Sequence, residues 1–146
     1  FNTRIKDYSF DWNNVLNFEG ETGPYVQYSA ARAYSILEKN DFYSKINNID
    51  ISKFSNYEMN VDELALVKSI YKFEDILLDS AKKYEPSILA RYITEVAKLF
   101  NKFYNSCPIN NQEENIKEFR LVLTYCSRLL IEIGLGLLGM DTPKKM

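Results

Sequence analysis

Phe119, Leu123, Cys126, Leu130, Ile133 and Leu137 recur at alternating spacings of four and three residues. This is the a/d repeat of a helix that lays one long apolar seam against its neighbours. The spacing predicts a helix that opens near Gln112 to Glu114 and is capped by Gly139, ahead of a short tail from Met140 to Met146 that contains Pro143. A seam of that length demands other helices to cover it, and the remaining sequence offers them without any sheet signal.

A first helix is bounded by Thr22 and Gly23, takes Pro24 at its favoured first position and meets no breaker before Asn40. Val26, Ala30, Ala33 and Leu37 form its apolar stripe, and Tyr25, Tyr28 and Arg32 a polar-aromatic one beside it. Residues 40–60, rich in Asn, Asp and Ser, read as an irregular crossing segment. A second helix starts at Asn60, with Glu63 set to complete a capping box, and fades near Lys83; Leu66, Ile70, Phe73 and Leu77 line its core face. Pro86 opens a third, which Pro108 stops. Its buried stripe is Leu89, Ile93, Val96, Phe100 and Phe103, its charged stripe Arg91, Glu95, Lys98 and Lys102, and its third line Ala90, Thr94, Ala97, Asn101 and Tyr104. The expected fold is all-α, an antiparallel helical bundle of about four main helices. The first 20 residues, with Trp12, Leu16 and Phe18, read as a connecting segment.

With 146 residues, the chain amounts to one domain. It has no histidine, which removes Ser/His and Cys/His nucleophile pairs, the usual general base and His-containing zinc sites. Two cysteines, Cys107 and Cys126, make neither a disulfide framework nor a Cys-x-x-Cys metal site, so a reduced, cytoplasmic setting is expected. The longest apolar run, Leu129 to Met140, is too short and too broken to span a membrane. The chain begins at Phe1 and reads as a piece of something longer. Carboxylates fall where turns and helix starts explain them. Gly20-Glu21-Thr22-Gly23 lacks the spacing of a phosphate-binding loop and is read as the loop that positions the first helix.

Charge is uneven. Residues 38–80 hold five Lys/Arg against nine Asp/Glu, whereas residues 81–106 hold five against two. A basic half is where a polyanion would sit. Unpaired RNA bases stack on Tyr, Phe or Arg planes while Lys and Arg hold phosphates, and Tyr25, Tyr28 and Arg32 on one helix with Asn101, Lys102 and Tyr104 on another supply those types. The same tyrosines would also serve as core aromatics with satisfied hydroxyls.

Four ordered blocks carry a resemblance. Gly20-Glu21-Thr22-Gly23-Pro24-Tyr25-Val26-Gln27-Tyr28 with Ala31-Arg32 resembles the helix-opening motif of arginyl-tRNA synthetases. Glu85-Pro86, then Ala90-Arg91-Tyr92 with Leu99-Phe100-Asn101-Lys102-Phe103-Tyr104, resembles that family's long third helix. Arg120-Leu121 with Gly139 and Pro143 to Met146 resembles its closing helix and end. The usual Pro-Glu-Arg-Met ending is here Pro143-Lys144-Lys145-Met146, a base in place of an acid.

The resemblance implies the DALR-type anticodon-binding domain of a class I aminoacyl-tRNA synthetase, over residues 21–146, with residues 1–20 leading from a catalytic domain that is not in this sequence. It implies no cofactor in this fragment, and ATP with Mg for a parent enzyme that attaches arginine to its tRNA; neither catalytic signature of the family occurs here. Implied partners are an arginine-accepting tRNA, through its anticodon stem and loop, and the chain's own catalytic domain, with no membrane. Among the residues, Tyr104 with Asn101 is implied at the stacking position, Tyr25, Gln27, Tyr28 and Arg32 on the helix facing the anticodon arm, and Met146 at the loop. Charge and spacing, independently of the resemblance, add Lys98 and Lys102 as phosphate contacts. The competing expectation is a non-catalytic helical module that docks on another domain or protein through Trp12, Leu16 and Phe18.

Overall fold

The computed structural model describes residues 11, 12 and 22–146. Most of the expected connecting segment, Leu16 and Phe18 included, therefore lies outside the described residues, as do Gly20 and Glu21. Five long helices and one short one are present, and no strand among the described residues: α1 Gly23–Lys39, α2 Phe42–Lys45, α3 Val61–Tyr71, α4 Phe73–Lys82, α5 Pro86–Ser106 and α6 Glu114–Leu137.

The helix starts follow from local chemistry. Thr22 Oγ1 accepts from the Tyr25 amide at 3.3 Å, with Pro24 in the first turn. Asn60 Oδ1 accepts from the amides of Asp62 and Glu63, and Glu63 Oε2 accepts from the Asn60 amide at 2.9 Å, a complete capping box. At the far end of α6 the Met140 amide reaches Leu135 O and the Gly139 amide reaches Gly136 O, with Gly139 at φ +73°. These are the paired bonds of a Schellman cap, and the left-handed residue they require is glycine.

Three expectations need correction. The helix expected over 60–83 is two helices, parted at Lys72. Its amide bonds back three residues to Ser69 O, and that carbonyl also accepts from the Tyr92 hydroxyl of α5 at 2.7 Å. A foreign hydroxyl inserted in the i to i−4 ladder breaks the helix there; burial raises the Tyr92 phenol to about 12. Residues 40–60 are not merely irregular, since α2 and two 3₁₀ turns, Ile46–Asn48 and Ile51–Phe54, lie within them and Phe42 is fully buried. The third correction concerns α6. Phe119, Leu123 and Leu130 are buried, but Cys126 is half-buried and Ile133 and Leu137 are exposed. The buried positions instead include Arg120, Thr124, Ser127, Ile131, Gly134 and Leu135. A strict seven-residue repeat drifts around a straight helix by about 20° per heptad, and this helix follows the 3.6-residue period of its neighbours.

Gly134 shows why. It faces Ile93 of α5, and a Cβ there would overlap Ile93 Cγ2. α5 thus packs tightly against a point where α6 has no side chain. Around this contact, Val26 and Ala30 of α1, Ile93, Val96 and Ala97 of α5 and Leu130, Ile131 and Leu135 of α6 form one core cluster. A second surrounds Phe100, Phe103, Leu66 and Phe119, and a third surrounds Leu37, Phe42, Ile109 and Leu121. The stripes expected on α1 and α5 are buried as read.

The second cluster encloses an ion pair. Glu63, with its side chain 1% exposed, accepts from Arg120 Nε at 2.7 Å, and Arg120 NH1 donates to Pro108 O at 2.6 Å. Tyr57 donates to the same carboxylate at 2.9 Å, and its phenol is raised, first by burial and then by that bond. Burial works against the Arg120 charge, but the hydrogen bond and charge of Glu63 outweigh it, and its pKa lies above the ordinary arginine value.

Two outcomes follow. Gly134→Ala should lower stability by about 1–3 kcal/mol through overpacking against Ile93, whereas Gly136→Ala, whose Cβ meets nothing within 4 Å, should raise it by up to about 1 kcal/mol through helix propensity. Arg120→Met should cost about 3–5 kcal/mol because it strands a buried carboxylate. Urea unfolding of the three variants measures both.

Candidate nucleic-acid interface

α1 and α5 cross with their polar lines facing, and Asn101 is the point where they meet. Its Nδ2 donates to Tyr25 Oη at 3.0 Å and to Ser29 Oγ at 2.8 Å, and its Oδ1 accepts from Arg32 NH1 at 3.0 Å. Three of the four hydrogen bonds the amide can make are thereby used on one neighbouring helix. Arg32 NH2 donates to Tyr28 Oη at 3.0 Å, an i, i+4 pair on α1. The guanidinium, fixed at both ends, lies 4.8 Å from the Tyr28 ring centroid and 5.6 Å from that of Tyr104. Tyr104 also stacks on the buried Phe100, centroids 6.5 Å apart at 26°. Tyr28 and Tyr104 are each a little over a third exposed.

Tyr28, Arg32 and Tyr104 form one wall of an open cleft of about 1070 Å³. Lys39 and Asn40 from the end of α1, Asn105, Asn110 and Asn111 from the turn after α5, and Lys145 with Met146 from the tail complete it. Asn111 has φ 61°, a left-handed conformation that asparagine tolerates. Among the lining side chains, Arg32, Lys39 and Lys145 outnumber the single acidic one, Glu38.

Of the residues predicted from sequence, Tyr28, Arg32, Tyr104 and Met146 line this cleft together, and Tyr25 and Asn101 support it from behind. Gln27 turns elsewhere, its Nε2 donating to Asp141 O in the tail at 2.7 Å. Lys98 and Lys102 are not brought to the cleft. On α5 they lie roughly 120° and 160° around the axis from Tyr104. Lys98 borders a separate depression of about 650 Å³ with Lys68, Lys72 and Arg91. Lys102 pairs with Asp62 of α3 at 2.8 Å, and the hydrogen bonds from Lys102 and Ser106 lower the Asp62 carboxyl. Trp12 is 66% exposed.

Sequence reasoning missed Lys39, Asn105, Asn110, Asn111 and Lys145. The run Ile109-Asn110-Asn111-Gln112 after Pro108 was the available signal, because amides in a turn at the end of an aromatic helix offer edge-reading groups.

Rings and a guanidinium held rigid beside amides and cations define a helical surface that offers stacking planes, amide edges and positive charge together. The chain belongs to the DALR anticodon-binding domain family, whose model matches residues 26–146. It is 43% identical over 148 residues to an arginine–tRNA ligase of Halothermothrix orenii, covering 100% of this chain and 25% of that protein. With one from Clostridium beijerinckii it shares 48% over 146 residues, covering 99% and 25%. Among solved structures it resembles arginyl-tRNA synthetases of Thermus thermophilus (TM-score 0.76, 33% identity, 90% of this chain and 22% of that one) and Plasmodium falciparum (TM-score 0.79, 29%, 99% and 25%). The chain spans about a quarter of the length of the curated relatives it matches. No helix among the described residues is long and apolar enough to cross a membrane.

Asn101→Leu should lower stability by about 1–3 kcal/mol, since it removes one hydrogen bond each from Arg32, Tyr25 and Ser29 in a part-buried contact; the shift of the urea midpoint measures it.

Proposed function

We propose that this chain holds the anticodon stem and loop of an arginine-accepting tRNA for an arginine–tRNA ligase, residues 21–146 forming the RNA-holding unit and residues 1–20 the connection to a catalytic domain. The carrying observation is Arg32, set between the Tyr28 and Tyr104 rings by Asn101. An unpaired base entering the cleft stacks on a surface already in position, so little rotamer entropy is lost on binding. Met146 closes the cleft with an apolar contact, the asparagines read base edges, and Lys39 and Lys145 hold phosphates.

In the whole enzyme this grip sets the distance to the acceptor end, which the catalytic domain charges in the cytoplasm with arginine and ATP. In this reading arginine, ATP and Mg belong to the catalytic domain. Among the described residues no three His, Cys, Asp or Glu side chains gather to hold a metal, and the cations at the cleft come without a glycine-rich loop. Lys98 and Lys102, away from the cleft, are left for stem phosphates.

Tyr104→Ala should weaken binding of an anticodon-arm hairpin by about 1–3 kcal/mol with the fold intact. Log affinity should also fall linearly with log salt, by roughly 0.7–0.9 per phosphate neutralised. Fluorescence titration at several salt concentrations measures both; absence of binding even at low salt would favour the docking module over the RNA holder.

A further inference from the structure

Residues 140–146 lie along α1 rather than away from it. Met140 packs where Gly23 leaves space, since a Cβ on Gly23 would come within 2.8 Å of Met140 Cε. One residue on, Asp141 O is held by Gln27 Nε2 at 2.7 Å. The next hold is Lys144, whose Nζ stands 5.3 Å from the Tyr34 ring centroid. Beyond it, Lys145 and Met146 line the cleft. Gly23, Gln27 and Tyr34 are successive positions on α1, spanning about 16 Å at 1.5 Å per residue, and each fixes a successive residue of the tail.

Tyr34 is itself braced. Its ring packs on Tyr43 at 5.7 Å, Tyr43 packs on Tyr125 at 6.3 Å, and the Arg128 guanidinium caps both of those rings at 5.9 and 5.8 Å. The half-buried ring therefore offers a fixed electron-rich face to one cation, Lys144. Tyr34 lines no part of the cleft, so its effect on a ligand there must pass through the tail.

We propose that Tyr34, through Lys144, and Gln27, through Asp141, are positioning residues that seat the tail so that Lys145 and Met146 close the cleft on the bound base. The inference rests on the proposed RNA-holding function for its ligand, but the seating is a property of the free chain. Without the latch the tail samples positions off the cleft, and affinity falls in proportion to the fraction of chains in which Met146 remains seated.

The test separates the two. The chain has three methionines, Met59, Met140 and Met146, so ¹³C labelling of their methyl groups gives three resolvable signals. Tyr34→Ala and Lys144→Glu should each move the Met146 signal to the sharp position of an unstructured methionine and weaken anticodon-arm binding roughly two- to fivefold, the scale of an exposed cation–π contact. Tyr34→Phe, which keeps the ring, should change neither. In a background lacking both tail contacts, Lys145→Ala with Met146→Ala, Tyr34→Ala should cost no further affinity. An unmoved Met146 signal in both disruptive variants overturns the latch. So does a released tail with unchanged affinity, or an equal loss in the background lacking both tail contacts. A wild-type chain that binds no hairpin sinks the RNA-holding function, while the methyl signals still judge the latch.

Discussion

The buried pair of Glu63 and Arg120 is the constraint on which the arrangement of helices turns. A carboxylate with 1% of its side chain exposed is tolerable only if its hydrogen bonds are met, and here Arg120, Tyr57 and the Asn60 amide meet them. Because Arg120 also reaches Pro108 O, one guanidinium ties the start of α3, the second turn of α6 and the turn after α5 into a single unit. That turn carries Asn110 and Asn111 to the cleft, so the pair at the centre of the fold sets one edge of the site.

Asn101 does the corresponding work between α1 and α5. The ring wall of the site is built on helices rather than loops, with Arg32 held by hydrogen bonds behind it, so its geometry precedes its ligand. The charged lines of α5 are used differently. Lys102 braces α3 through Asp62, so a residue whose type suits phosphate binding serves the scaffold in the free chain.

Features that depend on local spacing were legible in the sequence. The Asn60–Glu63 capping box, Pro24 and Pro86 at helix starts, the left-handed Gly139 and the stripes of α1 and α5 all obey rules that act over a few residues. The site residues Tyr28, Arg32 and Tyr104 were legible as chemical types on polar helix faces, and the family motifs joined them to Met146. The illegible part lies in pairings between distant positions. Nothing local indicates that Arg120 meets Glu63 57 residues earlier, that Asn101 reaches back 76 residues to Tyr25, or that the Tyr92 hydroxyl breaks a helix at Ser69. The seam of α6 was misread for a related reason. Apolar residues at Ile133 and Leu137 fit the repeat, but it is Gly134, which has no side chain, that faces Ile93 of α5.

The central claim is that the cleft of Tyr28, Arg32 and Tyr104 receives unpaired anticodon-loop bases, and one comparison reaches it directly. Two hairpins with the same stem, one carrying the arginine anticodon loop and the other closed by a minimal loop without anticodon bases, are titrated against the chain at one salt concentration. Base stacking in the cleft predicts that the minimal loop binds about tenfold or more weakly, although the stem phosphates are unchanged. Equal affinity for the two hairpins would show that the chain holds only the stem backbone, and would contradict the account.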